Sequence, residues 1–282
     1  MATFTNQATL SYNGNTVNSN TVTGNIVEIL SVTKTAVTDI YTAGDDVAYI
    51  VSIINSGTSA VTGVTVTDNL GAYPYGTGNV VPLSYVADSV AYYQNGVLQA
   101  PPATDAGAPL VFSGITVPAG GNVILVYEAD TNSFAPLATG STITNEVTVT
   151  GNGITAPITA QEIVTVSDEA ILSITKALSP TNVTENSELT YTFTVQNTGN
   201  TAADATDNVV ISDIFDPILT NITVTVDGVV LPPASYTYNE TTGAFATVVG
   251  AITVPAATYT QDAGGNWIVA PGVTTVTVTG TV

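Results

Sequence analysis

Two lysines are the only basic side chains in a chain of 282 residues that carries 22 acidic ones, and they stand at matching points of two similar segments. Ile29-Leu30-Ser31-Val32-Thr33-Lys34 recurs as Ile171-Leu172-Ser173-Ile174-Thr175-Lys176. In an extended strand, residues two apart share a face. Leu30, Val32 and Lys34 therefore line one face, as do Leu172, Ile174 and Lys176, and both lysines are expected to be buried. The same rule places Asp68 in the inward series Val64, Val66, Asp68, Leu70, and Asp213 in the series Val209, Ile211, Asp213, Phe215. A third series, Ile143, Asn145, Val147, Val149, is matched near the N-terminus by Phe4, Asn6, Ala8, Leu10 and Tyr12.

Lys, Asp and Asn directed into one core admit two readings. A buried charge needs a partner, so a Lys-Asp ion pair with an Asn hydrogen bond is the conservative one. The other is an isopeptide bond. Burial lowers the lysine pKa and leaves a neutral amine nucleophile, while a desolvated Asp holds a proton and polarises the Asn carboxamide. Attack on the side-chain carbonyl then releases ammonia, once per site. Turnover catalysis is not expected, because His and Cys are both absent and no Arg accompanies the two lysines, which removes imidazole triads, thiolate chemistry and Cys or His zinc sites.

The elements that would carry these residues are strands. Hydrophobic residues make up 44% of the chain and charged residues 9%, with 24 Gly and 14 Pro for turns. The offset that relates the two lysines also carries Tyr49 to Gly57 onto Tyr191 to Gly199, and Asn95-Gly96 and Asp227-Gly228 are matched hairpin turns between alternating segments. Pro118-Ala119-Gly120 with Val123 to Tyr127 matches Ala270-Pro271-Gly272 with Thr274 to Val278. The expectation is an all-β chain of two tandem Ig-like β-sandwich domains, residues 29–170 and 171–282. The second is expected to be incomplete, because the strands around Ile143 to Val166 have no counterpart after Val278.

Those strands do have a counterpart upstream. Thr5 to Gly14 aligns without a gap on Thr144 to Gly153, so residues 1–28 read as the end of a repeat whose beginning is missing. An incomplete sandwich exposes an apolar cleft and unpaired edges. To close it within one molecule, the N-terminal segment would have to run back along the whole first domain. Donation to the next copy is the simpler geometry, with Phe4, Asn6, Ala8, Leu10 and Tyr12 as the donor strand, and a contact of that heterologous kind builds an open filament. The expected partner is the protein itself. The rival readings are a monomeric surface adhesin or stalk and a fragment of a longer repeat protein.

A formal charge of -20 argues against nucleic acid or anionic membrane as a partner. No run reaches the roughly 20 apolar residues of a membrane helix, and the first 28 residues lack the basic and apolar regions of a signal peptide, so the export route is left open. No cofactor or metal is expected. Asp45, Asp46, Asp204 and Asp207 fit solvated loops better than a calcium loop. Asn55-Ser56-Gly57 and Asn197-Thr198-Gly199 read as turns through left-handed backbone. Trp267 and the stretch Tyr85 to Tyr93 fit either a carbohydrate site or sheet packing.

The opening Lys strands, the NSG and NTG turns, the TD and SD strands at Asp68 and Asp213 and the TN strand at Asn145 resemble the bacterial cell-surface repeat called domain of unknown function eleven, over nearly the whole chain. The resemblance implies an extracellular surface or fibre role and no enzyme activity. The order Lys, Asp, late Asn is also similar to the isopeptide sandwiches of Gram-positive collagen adhesins. That likeness implies one triad of Lys34, Asp68 and Asn145. Because no late Asn follows Asp213, it implies a second, intersubunit triad of Lys176, Asp213 and Asn6.

Overall fold

The computed structural model describes residues 2–26 and 29–282. Strands dominate because Thr, Val and Ile alternate with polar residues, and burial follows that alternation. In the strand Asp46–Asn55, every second residue from Val47 to Ile53 is fully buried and the residues between them are not. The sole helical element among the described residues is one 3-10 turn, Pro233–Ser235.

The N-terminal segment folds as one long hairpin. Its outgoing arm is β1 (Ala2–Asn6) and β2 (Thr9–Tyr12), and its return arm is β3 (Asn15–Asn18) and β4 (Val22–Ile26), with β1 paired to β4 and β2 to β3. Asn13 and Gly14 close the tip, both at positive φ, as a two-residue hairpin turn requires. The register sets Phe4 opposite Gly24, Asn6 opposite Val22, Leu10 opposite Val17 and Tyr12 opposite Asn15. Phe4, Leu10, Tyr12, Val17 and Val22 thus share one face, and all five are exposed. The segment expected to be a single donor strand is therefore a two-stranded ribbon, and the face that carries these five apolar side chains also carries Asn6 and Asn15.

The first sandwich contains β5 (Leu30–Ala36), β6 (Ile40–Tyr41), β7 (Asp46–Asn55), β8 (Val61–Asp68), β9 (Tyr73–Tyr75), β10 (Gly78–Val80) and β11 (Leu83–Tyr85). It continues through β12 (Ala91–Gln94), β13 (Val97–Gln99), β14 (Ala103–Asp105), β15 (Leu110–Val117), β16 (Asn122–Thr131), β17 (Thr142–Thr150) and β18 (Ile158–Val166). One sheet runs β13-β12-β16-β7-β5, with β11 also on β16; the other runs β14-β15-β8-β17-β18-β6. All pairings are antiparallel except that of β18 with β6. Val47, Tyr49, Val51 and Ile53 from one sheet and Val64, Val66, Phe112 and Val147 from the other belong to one core.

The second sandwich comprises β19 (Leu172–Ser179), β20 (Glu188–Asn197), β21 (Ser212–Ile214), β22 (Thr220–Val226), β23 (Val229–Val230), β24 (Tyr236–Tyr238), β25 (Ala244–Thr247), β26 (Thr258–Gln261), β27 (Trp267–Ala270) and β28 (Gly272–Thr281). One sheet, β19-β20-β28-β22-β23, repeats the order β5-β7-β16-β12-β13 strand for strand. The facing sheet, β21-β25-β24, repeats β8-β15-β14 and stops there. Among the described residues, no strand of the second sandwich takes the places of β17, β18 and β6. The cost is visible on β19. Leu30 is 8% exposed, while Leu172 at the same place is 40% exposed, and all of β19 is open to solvent.

Both matched hairpin turns form as expected, with Asn95, Gly96, Asp227 and Gly228 at positive φ. The NSG and NTG segments do not behave as expected: no residue of either is among those at positive φ. Each Asn is instead a buried clamp. Asn55 Nδ2 donates to Ser59 O (2.9 Å) and Val117 O (3.2 Å), and its Oδ1 accepts from Gly57 N (2.9 Å). Asn197 Nδ2 donates to Thr201 O (2.7 Å) and Pro255 O (3.1 Å), and its Oδ1 accepts from Gly199 N and Ile171 N. Glycine is needed for close approach: a Cβ on Gly57 would lie 2.8 Å from Ile29 Cδ1, and one on Gly199 would strike the Glu169 carbonyl.

Candidate functional site: two lysine-aspartate sites in different states

Lys34 on β5 and Asp68 at the end of β8 meet across the first core. Lys34 Nζ lies 2.5 Å from Asp68 Oδ2, and both side chains are fully buried. The other carboxylate oxygen accepts from Leu70 N at 2.7 Å, and the Tyr127 hydroxyl also donates to Oδ2. The ammonium lies 4.7 Å from the Tyr49 ring centroid and 5.8 Å from that of Tyr127, positions that favour a cation. Burial outweighs these attractions and pulls Lys34 down from 10.5 to about 8, against the raising effect of Asp68. The same burial raises the phenols of Tyr49 and Tyr127.

Asn145 belongs to the same cluster. It lies on β17 two residues before Val147, which is paired with Asp68, and it is fully buried. Neither its amide nitrogen nor its oxygen completes a well-formed hydrogen bond, nor does the buried Tyr49 hydroxyl, although Asn145 lies near enough to that hydroxyl to oppose the rise that burial imposes on it. Leaving a buried amide unpaired costs about 1–3 kcal/mol per group. Lys34, Asp68, Asn145, Tyr49 and Tyr127 thus form one buried polar cluster in the first core. Tyr49 and Tyr127 were not singled out from the sequence, although both sit in inward registers of strands that were.

Lys176 on β19 and Asp213 on β21 are also in ion-pair contact. Their surroundings differ: the Lys176 side chain is 41% exposed and that of Asp213 18%. The expected burial of Lys176 is therefore corrected, and the cause is the uncovered face of β19. Tyr191, which matches Tyr49, holds its ring 4.4 Å from Lys176 Nζ. The position of Tyr127 is taken by Val278, so no phenol reaches Asp213 from β28. Asn6 stands exposed on the N-terminal hairpin, and the structure does not bring it to Lys176 and Asp213.

The weaker candidates have structural uses. Asp45 accepts from Thr42 N, Asp204 from Thr206 and Asp207 from Asp204 N, so these carboxylates close their own turns. Asp46 faces Asp130 across β7 and β16 and raises its pKa. No group of three potential metal ligands occurs among the described residues. Tyr85 packs edge-on against Phe112 in the first core. Trp267 Nε1 donates to Tyr73 OH in the first sandwich at 3.2 Å.

Several solved structures match this chain at low similarity. The major pilin subunit of Bacillus cereus is 11% identical, with a TM-score of 0.37 over 96% of this chain and 73% of the pilin. The collagen-binding subdomain of the Enterococcus faecalis surface protein ACE is 11% identical, with a TM-score of 0.29 over 49% of this chain and 99% of the subdomain. A family 123 glycoside hydrolase from Clostridium perfringens is 10% identical, with a TM-score of 0.33 over 49% of this chain, which spans 27% of that enzyme. Likenesses this distant carry no argument about function. No protein-family model matches the chain, and no curated protein matches it. The surface-repeat resemblance thus rests on the motifs quoted above.

Proposed function

We propose that this chain is the structural subunit of an extracellular bacterial surface fibre that assembles head to tail, the N-terminal hairpin of one copy completing the second sandwich of the next. The observation that carries this is complementarity. Ile143, Asn145, Val147 and Val149 are buried on β17, while their counterparts Phe4, Asn6, Ala8 and Leu10 are exposed on the hairpin. The inner face of β19, with Leu172 and Ile174, and the free edge of β21 are exposed where β17 and β18 would lie. The hairpin supplies two arms for those two vacant places. Each side chain that passes from half exposed to buried contributes about 1 kcal/mol, and the β21 edge gains main-chain hydrogen bonds.

Docking would also set Asn6 where Asn145 stands in the first sandwich. In each triad the neutral Lys amine attacks the Asn side-chain carbonyl carbon, a C–N bond forms to Lys Nζ, and the bond to the amide nitrogen breaks. Asp carries the proton from the amine to that nitrogen, which leaves as ammonia. Lys34 to Asn145 is the bond within a subunit, and Lys176 to Asn6 the bond between subunits. The exposure of Lys176 and Asp213 supports a second bond that waits for docking, since only then would the amine be desolvated as Lys34 is.

Electron microscopy of the purified chain should show fibres, and a variant lacking residues 2–20 should stay monomeric with its first sandwich folded. Fibres from the shortened chain would refute hairpin donation. Intact-mass spectrometry should find about 17 Da missing per bond formed, and boiled gels should show ladders that vanish in Lys176→Ala and in Asn6→Ala. An unshifted mass with a single band would leave ion pairs only.

A further inference from the structure

Two hairpins that the sandwiches do not share meet across the joint between them. Between β8 and β12 the first sandwich carries β9–β10 within residues 69–90, whereas residues 215–219, the matching segment of the second, hold no hairpin. Conversely, residues 248–271 of the second sandwich carry β26–β27, where the first has only residues 118–121.

These two insertions close on each other. Trp267 N donates to Ser133 O (2.8 Å), and Ser133 Oγ donates to Asn266 Oδ1 (2.8 Å). Tyr73 OH accepts from Gln261 Nε2 (2.9 Å) and from Trp267 Nε1, and Tyr75 OH donates to Asp262 O. Gly265 lies against Tyr75 and Val80 with no space for a Cβ. The turn is braced from within, because Asp262 Oδ1 accepts from Gly264 N and Asn266 N. The linker adds a second tie: Asn200 Nδ2 donates to Ser167 O (3.0 Å), and Asn200 O accepts from Thr139 Oγ1 (2.9 Å).

We infer that β9–β10 and β26–β27 form a clip that can close only between the two sandwiches of one chain, so that in a fibre the subunit is the stiff unit and the joint between subunits is the compliant one. The clip stands on these contacts alone; its consequence for the fibre rests on the hairpin-donation reading. At a joint between copies, the Ile29 end of a first sandwich would face the far end of a second sandwich. That first sandwich presents Thr58 in place of Asn200 and residues 118–121 in place of the clip, and the second sandwich offers no β9–β10 to grip. The donated hairpin and its bond hold the copies together there, and none of the clip contacts restrains their angle.

Trp267 is the single tryptophan of the chain, so its fluorescence reports the clip directly. In Asn6→Ala protein held below the concentration at which it assembles, small-angle scattering should fit the two sandwiches as one rigid body. The double variant Gln261→Ala, Asn266→Ala, made in the same background, should shift Trp267 emission to the red and give scattering that requires two independent bodies. Independent sandwiches in the Asn6→Ala protein, or no change in the variant, would overturn the clip. In fibres, cryo-electron microscopy should find bending concentrated at every second joint, and at every joint in the variant. Equal bending at all joints of unaltered fibres would overturn the compliance. If no fibres form, the donation reading falls while the scattering and fluorescence still decide the clip.

Discussion

Leu10 weighs hairpin donation most directly, because the subunit and the fibre make opposite demands of it. In the subunit Leu10 is 64% exposed, so Leu10→Ala should leave the melting temperature unchanged. In a completed second sandwich it takes the place of Val149, which is fully buried in the first. Full burial of a leucine side chain is worth about 1.5–3 kcal/mol, and the exposed share of Leu10 therefore amounts to roughly 1–2 kcal/mol per joint. At about 1.4 kcal/mol per tenfold in affinity, the critical concentration for assembly should rise about five- to thirty-fold. The assay is sedimentation velocity across a concentration series, in an Asn6→Ala background so that no covalent bond hides the equilibrium. Two controls bracket the result. Leu98→Ala alters an equally exposed leucine on β13 and should change neither quantity. Val149→Ala should lower subunit stability by on the order of 2 kcal/mol. If Leu10→Ala lowers the melting temperature, or leaves assembly untouched, the hairpin face is not the donated surface.

Three further expectations follow from the same geometry. Where the amide cannot form, as in Asn145→Ala, the amine of Lys34 still titrates. Its folded pKa of about 8 lies below the ordinary 10.5, so the unfolded chain binds more protons between those values and stability rises with pH across that window, by on the order of 3 kcal/mol, and is flat with respect to Lys34 below it. Denaturant melts should show this rise in Asn145→Ala and not in the cross-linked chain; the same rise in both would refute the bond. Asp68→Ala in that uncross-linked background strands a buried ammonium and should cost about 3–5 kcal/mol, read from the same melts. Gly199→Ala should destabilise the second sandwich by about 1–3 kcal/mol, because the new methyl meets the rigid Glu169 and Ile171 backbone, whereas Gly57→Ala meets the movable tip of Ile29 and should cost less. Equal losses in the two would contradict the close-approach account.

Much of the first site was legible because strand parity is a local property. Val64 to Leu70 and Ile143 to Val149 each announce an inward face, and that was enough to aim Lys34, Asp68 and Asn145 at one core. Parity says which way a side chain points and not what stands across from it. The same rule therefore misjudged Lys176, whose inward face is uncovered, and passed over Tyr127, whose hydroxyl matters only because β16 carries it over Asp68. Asn55 and Asn197 were misread for a related reason: a motif of Asn and Gly fits a left-handed turn and a buried side-chain clamp equally well, and only the carbonyls of Ser59, Val117, Thr201 and Pro255 choose between them.

By itself the sequence determined the strand alternation, the two repeats, the turns at Asn95 and Asp227, and the match between the N-terminal segment and β17, since each depends on residues near one another or on direct comparison of one stretch with another. The tertiary structure alone decided that the N-terminal segment is a hairpin with one exposed face rich in apolar side chains, that Asn145 is buried next to Tyr49 without a well-formed hydrogen bond, that Lys176 is open to solvent, and that Tyr73 and Trp267 clasp the two sandwiches. Those depend on contacts between distant parts of the chain, and no local pattern encodes which strand will lie beside which, or which place will be left vacant.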